Sequence, residues 1–484
     1  MCTVAKSPKE LCMLNTLLIL ARAIKRGLTP KPPRPTRLYF RPNLEALEPR
    51  YAPAQRVWLG TVSADPTVPG NWLGNAVPGL ADEAIFDNRA IENFLLDDDD
   101  TLEVGKLTVA ANFTKTFHVA GTLIVSQGSL GGNSTWVSAQ FLNLLNGADF
   151  YLRGDRTMEF SNGGVNQSGQ GAGTIDLRLG ATLKLTGNAS RLDGNLRVGD
   201  GVTAGTVELV GLSGNVFNQT GKILVTSTGT FKMTQTGDTS QAPKGSLYSA
   251  GNSDATFTNQ GLFIRDGATS GPYDPEVEFV FINTGILRVT SGSNLRFTKT
   301  ASNNYSLINK SPGIVELHYG SFVRATGAYK QEGGVFETHG DANGFGSVYF
   351  LMPSDFLGGA LHVNKDGGFG TLEFGANNVK FAGALMVYLE VDGVSPPGAG
   401  ATGDQINLDG GATLTIDNSQ PNKPTLVVTT LRGVPPAGWS FDLINTPILV
   451  NTFADVIFAG QFTPQGGYTV SYPPGPPREV RITV

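Results

Sequence analysis

Histidine is the first place to look for chemistry in this chain, because imidazole serves as general base and metal ligand near neutral pH. The four histidines are His118, His318, His339 and His362. None has a partner at a metal-ligand spacing such as i, i+4. His318 is followed by Tyr319, and there a general-base role competes with that of an ordinary surface histidine. From Asp97 to Asp100 the chain carries four carboxylates in a row. Calcium draws several oxygen ligands from such clusters. The EF-hand glycine and closing glutamate are absent, so a solvated loop stands beside a calcium site as the reading. Asp366-Gly-Gly-Phe-Gly departs from the Gly-Gly-x-Gly-x-Asp pattern of calcium nonapeptides, and Asp341-Ala-Asn-Gly-Phe-Gly is no closer. No Gly-x-Ser-x-Gly elbow and no Walker loop occurs. The sequence thus assigns no catalytic, cofactor-binding or metal-ligating residue, and it implies no cofactor.

Any chemistry must therefore come from how elements are stacked. Residues 281–297 (FINTGILRVTSGSNLRF) hold two short strands. Leu287 and Val289 alternate with Arg288, and Leu295 and Phe297 with Arg296. A period of two with cations on the off-beat marks half-buried strands. Residues 217–233 (FNQTGKILVTSTGTFKM) align over the same length without a gap. Gly221 falls on Gly285, Val225 on Val289, Lys232 on Arg296 and Met233 on Phe297. Partial copies begin at Gly121, Gly261 and Gly313. An amide often stands just ahead: Asn218, Gln219, Asn259, Asn283 and Asn309. Units this small cannot bury their own apolar face, whereas a stack of them shares one long core. Glycine at a corner allows positive φ. Asparagines stacked unit over unit can form amide ladders. A β-sandwich also has many short strands. Copies that share both strands and the turn favour an all-β, right-handed parallel β-helix, a solenoid repeat protein.

Bulk numbers agree. The chain has 484 residues, 62 of them glycine, and only 16% are charged. Its net charge of −5 is unevenly spread. Residues 1–56 carry 11 Lys/Arg against 3 Asp/Glu, and the remainder 25 against 38. A basic leader on an acidic body fits a targeting segment, and an acidic body repels nucleic acid. Cys2 and Cys12 both lie in the leader, so the body uses neither disulfides nor thiolate metal sites.

Residues 13–21 (MLNTLLILA) follow Lys6 and Lys9 and are too short to span a bilayer. They read as the apolar part of an export signal, as a short amphipathic helix, or as residues upstream of the true start. Arg22, Lys25 and Arg26 stand where a small-residue cleavage site is expected. Residues 30–35 (PKPPRP) form stiff linker. Residues 44–54 (LEALEPRYAPA) resemble the short LExLE-[PD]-R-x-x-P-[AS] motif of planctomycete secreted and surface proteins. That resemblance implies an exported protein with a large extracellular β-rich body and is silent on activity.

Residues 57–110 contain Trp58, Asn71-Trp72 and a V-P-G…D-x-A-x-F pattern at residues 77–86. This is similar to the opening of autotransporter-like surface β-helices. Trp58 and Trp72 are large enough to cover an exposed end of the core. Their alternative role is as platforms for sugar stacking. Residues 401–484 resemble the closing module of the same proteins, through residues 403–416, 435–444 and 468–472.

The expected organisation is a largely disordered export leader (1–56), an N-terminal cap (57–110), β-helix repeats (111–400) and a C-terminal capping module (401–484). At roughly 20–25 residues per turn the repeats form about 12–14 turns. That is a rod on the order of 55–70 Å long. The expected role is non-enzymatic, structural or adhesin-like, on a secreted or cell-surface protein. Glycans or other surface proteins are the expected partners, with no nucleic acid and no transmembrane anchor. A polysaccharide lyase or hydrolase, or a glycan-binding module, is the alternative.

Overall fold

The computed structural model describes residues 54–483 apart from short internal stretches, the longest being 132–140, 187–194, 393–402 and 460–467. The expectations for the leader and for its motif up to residue 53 lie outside the described residues. So do Asn218, Gln219, Gly121, Gly221 and residues 341–344. Pro53–Val484 forms one compact unit.

The body is all-β. Among the described residues the only helical element is one 3-10 turn, Pro69–Asn71. Among the described residues no helix is long and apolar enough to cross a membrane. Strands described there fall into two large, mainly parallel sheets of 26 and 11 members, a four-stranded sheet and a two-stranded pair. Three parallel ladders organise the middle of the chain. The first contains Thr256–Asn259, Val280–Asn283, Tyr305–Asn309 and Ala328–Gln331. The second contains Leu262–Asp266, Ile286–Val289, Ile314–His318 and Val335–His339. The third, in the 11-stranded sheet, contains Glu276–Val277, Asn294–Phe297, Phe322–Ala325 and Phe345–Leu351. In that sheet Arg478–Thr483 pairs antiparallel with both Ser440–Thr446 and Thr469–Ser471.

Alternation in the sequence becomes inside and outside. Val225, Val289 and Phe297 are fully buried and Met233 nearly so, while Arg288, Arg296 and Lys232 point outward. Phe231, Phe257, Phe263 and Phe281 pack as rings 4.7–5.6 Å apart. Each such side chain contributes about 1.5–3 kcal/mol through burial.

The sequence alignment of the two longest copies is displaced by one corner. Val225 stacks on Asn259 and hence on Asn283 rather than Val289. Met233 stacks on Arg265 and then Val289, while Phe297 belongs to the third ladder. Both copies are strand–turn–strand with the same spacing, but they sit at different corners. In–out alternation survives this displacement because strands keep a period of two whichever face they occupy.

Glycine at the first corner is required for a different reason than expected. Gly229, Gly261 and Gly285 have no positive φ. A Cβ on Gly229, Gly261 or Gly285 would overlap a carbonyl oxygen of the preceding layer: Val198, Thr226 or Gly261 respectively. Close backbone approach, not a left-handed turn, selects glycine there.

The expected amide ladder is present. Asn259 Nδ2 donates to Asn283 Oδ1, and Asn283 Nδ2 to Asn309 Oδ1, each at 2.8 Å. Each amide also donates to a backbone carbonyl of the next layer, which for the three asparagines is that of the first residue of a strand in the second ladder. Asn259 reaches the Ile286 carbonyl, Asn283 that of Ile314, Asn309 that of Val335, and Gln331 that of Ala360. All four side chains are fully buried. The ladder thus satisfies most of the polar groups it buries, with Asn259 Oδ1 at its start left unpaired.

Candidate functional site

Parallel in-register pairing carries each outward side chain onto its neighbour one layer away, about 4.8 Å distant. On the second ladder, Arg288, Glu316, Glu337, His362 and Tyr388 follow one another in register. Two residues further along the strands, His318 pairs with His339. The side chains meet on the outer face of the sheet. The imidazole rings of His318 and His339 stack at 4.6 Å between centroids and 14° between planes.

Two glutamates face this pair. Glu316 Oε1 lies 3.0 Å from His318 Nε2 and 3.9 Å from His339 Nε2. Glu337 Oε1 lies 3.4 Å from His339 Nε2. Each glutamate gives its other oxygen to a cation. Arg288 holds Glu316 Oε2 at 2.9 Å and Lys365 holds Glu337 Oε2 at 2.6 Å. Across the second histidine, Asp366 Oδ2 lies 2.8 Å from His339 Nδ1.

Burial acts against every charge here, and the partners reverse it. For Glu316, burial raises the carboxyl, but His318 and Arg288 outweigh it and bring it down to about 2. Glu337 is likewise lowered, by His339 and Lys365 against burial. His339 is raised: burial opposes the charge, and Glu337 and Asp366 overcome it. His362 behaves in the opposite way, because burial dominates and lowers it. Its ring stacks on Tyr388 at 4.2 Å and 3°.

The other sequence candidates scatter. His118 lies on Phe117–Val119, opposite Asn143, and its side chain is outside the described residues. Tyr319 is exposed and takes no part in the cluster. Asp366, in the segment that departs from the calcium nonapeptide, faces His339. Burial and the like charges of Asp65, Asp99 and Asp97 raise Asp100. Trp58 and Trp72 are essentially inaccessible, 5.1 Å apart, and packed with Phe86 and Phe94. Their indole N–H groups donate to the carbonyls of Glu92 and Pro66. Burial rules them out as stacking platforms for sugars.

Sequence reading missed Glu316, Glu337 and Lys365. A signal existed in the repeated Glu-x-His, Glu316-Leu-His318 and Glu337-Thr-His339. Only strand register turns two such repeats into one cluster. A separate groove of about 600 Å³ runs past Glu332, Gly359, Lys380, Gly383 and Asp417, with Lys380 and Asp417 paired at 2.8 Å. The histidine cluster does not line it.

Comparison with protein-family models, curated proteins and solved structures finds no match.

Proposed function

We propose that this protein is an exported, right-handed parallel β-helix with a structural or adhesive role at the cell surface. The observation that carries the reading is the run of three parallel ladders through which the chain passes in turn. Such a stack offers long columns of outward side chains, suited to many weak contacts with glycans or neighbouring proteins. The planctomycete-like segment at residues 44–54 supports export. Trp58, Trp72, Phe86 and Phe94 would close the N-terminal end of the core, and the antiparallel pairing of Arg478–Thr483 would end the third ladder.

A carbohydrate-active enzyme is the second reading. Its specific support is the convergence of Glu316, Glu337, His318 and His339, which places carboxylates beside potential bases. These groups lie on a sheet face and are engaged by Arg288 and Lys365. Little of that arrangement is aimed at a developing charge. The structural reading expects the purified full chain to bind insoluble polysaccharide or cell-wall material without turnover. Reducing-end and unsaturated-uronate assays would read turnover directly. Activity abolished by His318→Ala or Glu316→Gln would overturn the structural reading in favour of the enzyme.

A further inference from the structure

We propose that Glu316, His318 and His339 bind one divalent transition-metal ion of the zinc class, linking two successive strands of the second ladder. The inference does not depend on whether the protein is structural or catalytic.

Three donor atoms converge within 4.8 Å of one another: Nε2 of each histidine and Oε1 of Glu316. Ligand atoms around a tetrahedral zinc ion, at 2.0–2.1 Å from it, stand about 3.3 Å apart. The separations of 3.0 and 3.9 Å from Glu316 to the two histidines straddle that value. Small side-chain rotations would bring all three onto one centre, with water in the fourth position.

The surroundings favour the same reading. A metal-bound imidazole commonly gives its second nitrogen to a carboxylate, which fixes the tautomer and the ring. Asp366 stands in that position, 2.8 Å from His339 Nδ1, leaving Nε2 directed at the glutamates. Arg288 anchors the outer oxygen of Glu316 and leaves the inner one to ligate. Two imidazoles with a carboxylate suit zinc, cobalt or nickel, whereas calcium and magnesium prefer all-oxygen sets. In the ion's absence, protons shared between imidazole and carboxylate fill the same space, so metal and proton compete for the site.

The test uses the full chain carrying Cys2→Ser and Cys12→Ser, which removes thiolates as competing ligands. After chelator treatment it is titrated calorimetrically with zinc chloride and, separately, with calcium chloride. One zinc ion per chain is expected, with calcium unable to compete. His318→Ala with His339→Ala should abolish binding. Asp366→Asn should weaken it by about 10–100-fold, the usual cost of losing a group that orients a ligand. His362→Gln should leave it unchanged. Cobalt added to the chain with its histidines intact should give the intense visible absorption of four-coordinate geometry, a readout that needs no further variant to fold. No zinc uptake, calcium binding as tight as zinc, or uptake that survives loss of both histidines would each overturn the proposal.

Discussion

Two ladders of stacked side chains run through the same layers with opposite character. Asn259, Asn283, Asn309 and Gln331 stack inside the first ladder. Arg288, Glu316, Glu337 and His362, with His318 and His339 beside them, stack outside the second. The device is the same: in-register pairing repeats a side-chain position every layer. The environment decides what may occupy it. Inside the first ladder the column is neutral, and an amide can donate upward, accept from below and still reach a backbone carbonyl, whereas the buried Arg265 of the second ladder is held by four backbone carbonyls. Outside, charges pair with one another, as Glu316 does with Arg288 and Glu337 with Lys365, so acids, bases and cations may alternate. The inner column therefore specifies the register, whereas the outer column is free to acquire chemistry.

That comparison predicts unequal penalties. The largest falls on the inward side of the second ladder. Val289→Asp buries an unpaired charge and should cost several kcal/mol, seen as loss of soluble protein or a collapsed melting temperature. A variant as stable as the parent would mean that Val289 does not face the core. Next comes Asn283→Ala, which removes the donor to Asn309 Oδ1 and to the Ile314 carbonyl. Each buried group left unpaired costs about 1–3 kcal/mol, measurable by denaturant unfolding. On the outer face, Arg288→Ala loses only a half-exposed partner of Glu316 and should cost under about 1 kcal/mol. If it matches Asn283→Ala, the distinction between inner and outer columns fails.

The smallest effect is a dependence on pH. Burial lowers His362, so the folded protein binds its proton less readily than the unfolded chain does. Stability from this group is present above the unfolded value and is lost as pH falls through the folded one. His362→Gln should therefore gain on the parent as pH drops from about 8 to about 5.5. Thermal melts in the presence of chelator would read it. A gain in the opposite direction would place His362 among the cationic partners of Glu337.

The difference between the columns also explains what could be read beforehand. The inner ladder was legible because one residue type recurs just ahead of a glycine, at Asn259, Asn283 and Asn309. Inward and outward faces were legible from simple alternation. The corner assignment was not, since residues 217–233 and 281–297 share spacing but occupy different corners, and nothing local distinguishes those corners. The reason for glycine at Gly261 and Gly285 was also hidden, because the crowding carbonyl belongs to another layer. The outer cluster was hidden most of all. Its members differ in type, and their separations vary from 28 residues between Arg288 and Glu316 to 21 between Glu316 and Glu337. Helical spacing rules cannot detect ligands that register alone unites.

Register is the claim on which both columns depend, and cross-linking measures it most directly. In the third ladder Arg296 pairs with Arg324, while Phe322 pairs with Asn294, two residues away. In a background of Cys2→Ser and Cys12→Ser, Arg296→Cys with Arg324→Cys places two Cα atoms about 4.8 Å apart, within disulfide reach. Arg296→Cys with Phe322→Cys places them roughly 8 Å apart, beyond it. Mild oxidation followed by mass spectrometry should show an intramolecular disulfide in the first pair and free thiols in the second. A disulfide confined to the displaced pair, or none in either, would contradict the parallel register from which the account is built.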